Sequence, residues 1–242
     1  MLKKLLTLST CLAFTAGLSA CGAPADSEAA SAPESATSRE DVEKIVRAYL
    51  LENPEIILEA MEVLNEREQL ATSVSLASDK RDFSIGPEDA PVTIVEFFDY
   101  KCGYCRMSMD WVMEQAKNSD GQIRVVFKEF PILSEQSKQA ALAALASMKQ
   151  DKYLEYHQKL MKYTDTLDQN ALMDLASEVG LNTAKLERDM ESAELLDQLQ
   201  DIRDEARQYG ADATPSFYIN GELIQGFDKR KLEQAIQAGL QG

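Results

Sequence analysis

Apolar positions follow three rhythms along the chain. Leu5 to Leu18 is a short apolar stretch behind Lys3 and Lys4, at the extreme N-terminus and too short for a comfortable membrane span. From Arg39 to about Leu76 the spacing is helical. Ser38 is a candidate cap for a helix carrying Val42, Ile45, Val46, Tyr49 and Leu50. Asn53-Pro54 then reads as the N-cap and first residue of a second helix. Its Ile57, Ala60, Met61 and Leu64 fall at i, i+3, i+4 and i+7, with Ile56 and Val63 widening the stripe. Two helices of this size cannot bury that stripe between themselves. It must pack on the main domain or on another copy, and self-association is favoured.

A third rhythm begins near Phe83. Val92 to Phe98 (VTIVEFF) has the pattern of a buried strand, Gly103 to about Asn118 that of a helix, and Ile123 to Phe130 (IRVVFKEF) that of a second strand. Strand, helix and strand in so short a span make a βαβ unit, which demands parallel strands. Ser134 to Tyr209 is helical in pattern, broken near Thr164–Thr166 and at Gly180-Leu181-Asn182. Ser216 to Asn220 (SFYIN) is a strand, Asn220-Gly221 a hairpin turn, Leu223 to Gln225 the partner, and Asp228 to about Leu240 a last helix.

Composition narrows the function. The chain has 242 residues, 45% apolar and 27% charged, with a formal charge of −16. Loss of the first 20 residues, which hold two lysines and no acid, makes it more negative. Such a surface repels phosphate backbones and excludes ordinary nucleic-acid binding. The four cysteines, at 11, 21, 102 and 105, are too few for a disulfide scaffold in a chain of this length.

Cys102-Gly103-Tyr104-Cys105 follows the first strand and opens a helix. Unpaired N–H groups and the dipole at a helix start favour negative charge. A thiol there is acidified, to between about 3.5 and 7 in CxxC sites. Cys102 is the expected attacking thiolate, and Cys105, one turn on, the resolving thiol. Gly103 keeps the approach open, and Tyr104 adds a ring without the cationic help of an imidazole. Structural zinc needs four ligands and haem attachment a histidine after the second cysteine, where Arg106 stands. No metal and no cofactor beyond the redox-active Cys102–Cys105 pair is expected. A static structural disulfide remains the plain alternative.

Two resemblances extend this reading. Leu18-Ser19-Ala20-Cys21 resembles the bacterial lipobox, which implies cleavage before Cys21, lipidation of its sulfur and export to an oxidising envelope compartment. Gly22 fits outer-membrane sorting if the host has two membranes; plain secretion after Ala20 is the alternative. Residues from Phe83 to Leu240 resemble the DsbA family of thioredoxin-like proteins, and the helical segment before them resembles the N-terminal region of ScsC-like proteins, which oligomerise through it. In that family an acid lies six positions before the first cysteine, here Glu96, and a lysine pairs with it, here Lys128. A cis-proline faces the CxxC, here Pro215, with Thr214 exposing its backbone to a substrate strand. Gly103-Tyr104 and Thr214 are closer to the disulfide isomerases than to DsbA itself.

The resemblance implies an α/β thioredoxin fold, ordered βαβ…ββα, with a helical domain inserted between its halves and an N-terminal helical extension. The divisions are 1–20 (signal peptide), 21–38 (flexible linker), 39–76 (helical segment), 80–133 (first half), 134–209 (insertion) and 210–242 (second half). The implied activity is dithiol–disulfide exchange on exported cysteine-containing proteins, as oxidase or isomerase, in the cell envelope or periplasm. A DsbB- or DsbD-type membrane protein would be the redox partner, and a homo-oligomer is possible. The alternative is a non-catalytic or copper-handling lipoprotein of the same fold.

Overall fold

The computed structural model describes residues 38–241. The expected signal peptide, Cys21 and nearly all of the linker lie outside them. The chain falls into two units, one ending at Asn53 and the other running from Pro54.

Helix α1 (Arg39–Glu52) belongs to the first unit. Ser38 caps it as expected, its hydroxyl oxygen accepting the Asp41 N–H at 3.2 Å. Asn53 acts at the other end from the one expected. Its side-chain amide donates to the Tyr49 carbonyl at 2.9 Å, so it closes α1 and does not cap the next helix. Val42, Ile45, Val46 and Tyr49 are all exposed on α1.

The second unit is built on a five-stranded sheet of order β1-β3-β2-β4-β5. The strands are β1 (Phe83–Ile85), β2 (Val92–Phe98), β3 (Ile123–Glu129), β4 (Ser216–Ile219) and β5 (Glu222–Gln225). Only β2 and β3 are parallel, with Val92 opposite Ile123 and Phe98 opposite Glu129. Both strands are buried on both faces, which is why they read as near-continuous apolar runs. β1 has three residues at the sheet edge, too few for an alternation to show, and sequence reading missed it.

The alternation of β2 and β3 divides the core. Val92, Ile94, Phe98, Val125 and Phe127 enter one cluster, with α3 (Gly103–Asn118), the helical insertion and α9 (Lys229–Gln241). Val95, Phe97, Val126 and Phe130 enter the other, under α2 (Glu55–Leu76) and α8 (Ala193–Tyr209). Each such side chain, fully buried, stabilises the fold by roughly 1.5–3 kcal/mol. The insertion comprises α4 (Glu135–Ser147), α5 (Tyr153–Lys162), α6 (Gln169–Glu178), α7 (Thr183–Met190) and most of α8. Its breaks at 163–168 and 179–182 match the expected ones, while a 3₁₀ turn at Met148–Gln150 and a short break at 191–192 add two that the sequence pattern hid.

α2 is divided along its length. Ile57, Leu58, Met61 and Leu64 are exposed, whereas Leu76 is fully buried against the sheet. The lower half presses on the β4–β5 turn. Gly221 has φ +86°, and a Cβ there would run into the Gln69 carbonyl. The stripe's Ile57, Met61, Val63 and Leu64 therefore do not pack into the main domain, and only the C-terminal end of α2 enters its core.

Candidate active site

The site forms where β2 ends. Cys102 is the N-cap of α3, in extended conformation, and its sulfur accepts the Cys105 N–H at 3.4 Å. The Thr214–Pro215 peptide bond is cis. It places the Thr214 carbonyl oxygen 3.2 Å from Cys102 Sγ. Cys102 is 7% exposed and Cys105 fully buried, and both are free thiols. Hydrogen bonds from the Cys105 thiol, the Thr214 side chain and the Cys105 and Tyr104 N–H groups outweigh the effect of burial and hold the Cys102 thiol at about 5. Burial pushes the Cys105 thiol far in the opposite direction. The pair therefore splits into an anionic nucleophile at the surface and a neutral thiol beneath it.

Glu96, on β2, lies under the pair. Burial raises its carboxyl to about 8, with the nearby Cys102 charge adding to the effect. The Ser108 hydroxyl stands 3.0 Å from both Glu96 Oε1 and the Cys105 carbonyl oxygen. At pH 7 Glu96 is mostly protonated, a buried acid poised beside a thiol that needs a proton whenever it leaves a disulfide. Replacing Glu96 by glutamine should slow that departure by about 10², the low end of positioned proton transfer. Stopped-flow reduction of the oxidised protein by a small thiol measures it, and an unchanged rate refutes the role.

Lys128 is not where the resemblance placed it. It stands opposite Phe97, one residue out of phase with Glu96, so its side chain leaves the other face of the sheet. Its Nζ lies 2.5 Å from Asp82 Oδ2 and 2.7 Å from Glu205 Oε2, all three in or near the second core. Against the lowering effect of burial, those two charges hold the ammonium above its ordinary value. The expected Glu96–Lys128 pair is thus replaced by a Lys128–Asp82–Glu205 cluster.

Sequence reading missed three groups. Asp99, 1% exposed, accepts the Lys101 N–H through Oδ1 and the Ile132 and Leu133 N–H groups through Oδ2. It ties the turn into Cys102 to the loop after β3. Arg106 donates to the carbonyls of Tyr163 and Lys101, fixing the start of α3 to the insertion. Glu129 Oε1 accepts the hydroxyls of Tyr100 and Tyr153 at 2.8 and 2.9 Å. Tyr100 also meets His157 Nδ1 at 3.0 Å, and burial lowers that imidazole to about 3, so it is neutral. Acids at 99 and 129 that flank strand ends were the available signal. Around the cleft Tyr104, Met107 and Leu133 are more than half exposed and Ile132 just over a third, an apolar rim suited to unfolded or extended polypeptide. Among the described residues, no group of three or more His, Cys, Asp or Glu side chains is placed to hold a metal.

The thioredoxin family model matches residues 78–238, two thirds of the chain. The chain belongs to the thioredoxin family. A second family model, the N-terminal domain of the copper resistance protein ScsC, matches residues 39–71. A thioredoxin-like oxidoreductase of Silicibacter pomeroyi superimposes on this thioredoxin-family chain with a TM-score of 0.66 and 36% identity, over 70% of this chain and 98% of that one. A linker-deletion mutant of ScsC from Proteus mirabilis gives a TM-score of 0.63 and 29% identity, over 87% and 98%. A protein of Bacillus cereus named probable disulfide bond formation protein D is 28% identical, over 71% of this chain and 85% of its own. The chain also matches Na⁺/H⁺ antiporters of Mycobacterium at 27% identity, and it spans only 28% of their length.

Proposed function

We propose that this thioredoxin-family protein catalyses dithiol–disulfide exchange on exported, cysteine-containing proteins. One observation carries the reading: an acidified sulfur at a helix start, 3.2 Å from the Thr214 carbonyl, with a buried thiol one turn below. The Cys102 thiolate attacks a substrate disulfide, one substrate sulfur leaves as thiolate, and a mixed disulfide forms. Cys105, giving up its proton to ionised Glu96, attacks Cys102 Sγ and releases the second substrate thiolate. In the oxidising direction a substrate thiolate attacks Cys102 of the Cys102–Cys105 disulfide, and neutral Glu96 protonates the departing Cys105. A thiolate held this low stabilises the dithiol form, which makes the pair a stronger oxidant. Gly103-Tyr104 and Thr214 moderate that tendency toward isomerisation, and the membrane partner, of DsbB or DsbD type, sets the net flow.

The test is capture. The Cys105→Ser protein, mixed with a disulfide-bonded exported protein, should accumulate a covalent adduct that dithiothreitol releases and that disappears in the Cys102→Ser, Cys105→Ser double variant. Failure to trap any adduct removes the enzymatic reading.

The lipobox at Leu18–Cys21 supports a lipid anchor in the cell envelope, on the outer membrane in a two-membrane host. Exposed apolar residues on α1 and the upper half of α2 support assembly of several copies. Leu76 belongs to the core, so deletion of 39–76 would damage the fold; substitution is the cleaner probe. Sedimentation should show an oligomer that Ile45→Glu and Met61→Glu together reduce to monomer. A wild-type monomer at the highest soluble concentration ends that proposal. The matched ScsC segment, 39–71, has no cysteine or histidine, so the thiolates of a copper-handling role would be those of Cys102 and Cys105.

A further inference from the structure

One helix of the insertion, α5, holds the chain on both sides of the two cysteines. On the upstream side the Tyr100 hydroxyl donates to Glu129 Oε1 at 2.8 Å and lies 3.0 Å from Nδ1 of His157, which α5 carries. One hydroxyl hydrogen cannot serve two acceptors, so Nδ1 of the neutral imidazole keeps its own hydrogen and donates to the Tyr100 oxygen. Tyr153, also on α5, donates to the same Glu129 oxygen at 2.9 Å, and its ring stacks on that of His157. Glu129 Oε2 has no partner among the described residues, so the hold passes through Oε1. Tyr100, Glu129, Tyr153 and His157 are each no more than 2% exposed. A network so enclosed cannot trade a partner for bulk water, which favours one arrangement of its members.

On the downstream side Arg106, next to Cys105, reaches the other end of the same helix. Its Nη1 donates at 3.0 Å to the carbonyl of Tyr163, the C-cap of α5, and its Nη2 at 3.3 Å to the carbonyl of Lys101. The guanidinium therefore joins the end of α5 to the residue just before the nucleophile. Between the two holds stands the Cys102 sulfur, 3.4 Å from the Cys105 nitrogen and 3.2 Å from the Thr214 carbonyl oxygen. Hydrogen bonds weaken steeply with misalignment, so a small shift of this turn changes how well the N–H opposes the effect of burial on the thiolate.

We propose that α5 positions the nucleophile: Tyr100 and Arg106 are positioning residues that tie the turn carrying Cys102 to the insertion and so set the contacts of its sulfur with the Cys105 N–H and the Thr214 carbonyl. The insertion is then part of the reacting unit and not only a wall beside it. The consequence for catalysis rests on the dithiol–disulfide exchange proposed above. With the turn loosened, the Cys102 thiol ionises less readily. A less stabilised thiolate makes the dithiol less favoured against the disulfide, so the pair becomes a weaker oxidant.

Iodoacetamide labelling of the reduced full chain across pH, read at the Cys102 peptide, tests the proposal. The wild-type midpoint should lie at about 5. Tyr100→Phe keeps the ring and removes both hydroxyl contacts. It should raise the midpoint to about 6 and, at pH 7, shift the equilibrium with glutathione about tenfold toward the Cys102–Cys105 disulfide. Arg106→Lys keeps the positive charge but loses the fork that holds two carbonyls, and it should act in the same direction. Arg106 is only partly buried, so that variant should fold even if the tyrosine variant does not. Tyr156→Phe is the control. Tyr156 is fully buried on the same helix, but its hydroxyl donates to the Leu172 carbonyl at 2.8 Å, inside the insertion. Its removal should leave the midpoint and the glutathione equilibrium at their wild-type values. A wild-type midpoint in Arg106→Lys, or in a folded Tyr100→Phe, overturns the proposal. So does a midpoint in Tyr156→Phe raised as far as that in Tyr100→Phe, because any softening of the core would then have the same effect. Labelling needs no protein substrate, so these outcomes are independent of whether Cys105→Ser traps an adduct.

Discussion

Replacing Cys102 with serine should reduce insulin reduction and the unscrambling of ribonuclease to the uncatalysed background. A serine hydroxyl is not ionised near neutrality and cannot form the mixed disulfide, whereas the Cys102 thiol titrates at about 5 and is almost wholly anionic at pH 7. Alkylation of the wild-type dithiol should therefore rise from pH 4 to 6 and then level off. The same shift links pH to stability. The Cys102 value is depressed from its ordinary value near 9, so its contribution to the reduced fold is fully present above about 9 and is lost as pH falls through about 5. The reduced form should outlast the oxidised form in urea at pH 7, with the gap narrowing toward pH 4. Activity in Cys102→Ser equal to wild type, or an alkylation midpoint near that of free cysteine, removes the central claim.

Lys128→Met should be the most destabilising single change outside the apolar core. The ammonium is fully buried and neutralises Asp82, whose side chain is also fully buried, and the partly exposed Glu205. Methionine fills similar volume but abandons both carboxylates in a site where desolvation already disfavours their charge. Breaking one partner out of such a buried cluster costs about 3–5 kcal/mol. Urea unfolding measures it. Adding Asp82→Asn to Lys128→Met should restore part of the loss, since the uncompensated charge is what hurts. A loss below about 1 kcal/mol would show that water reaches the cluster. Exchange chemistry in the folded fraction should survive, because Lys128 and Glu96 lie on opposite faces.

That separation marks how far the sequence could be read. The strand carrying Glu96 and the strand carrying Lys128 are both legible, because strands buried on both faces are apolar nearly throughout and any charge within them stands out. Their register is not legible. A shift of one residue sends a side chain to the opposite layer, and nothing in IRVVFKEF fixes which residue faces VTIVEFF. Cys102, Cys105 and Thr214-Pro215 were readable because each depends on local context: a strand running into a helix, and a proline just before a strand. Asp99, Arg106 and Glu129 were not, since each acts on a partner between 24 and 57 residues away. Asn53 fits either helix end by pattern alone, and only the direction of its amide decides.

Asp99 ties together two features with separate consequences for function. One carboxylate receives both the N–H groups of the Ile132–Leu133 lip and the residue just before the nucleophile. Remodelling that lip to welcome a new client would pull on the same anchor that seats the sulfur. In this lineage, breadth of clientele and chemical reactivity should therefore drift as one trait, and a relative that has lost the acid at this position should have had to rebuild both.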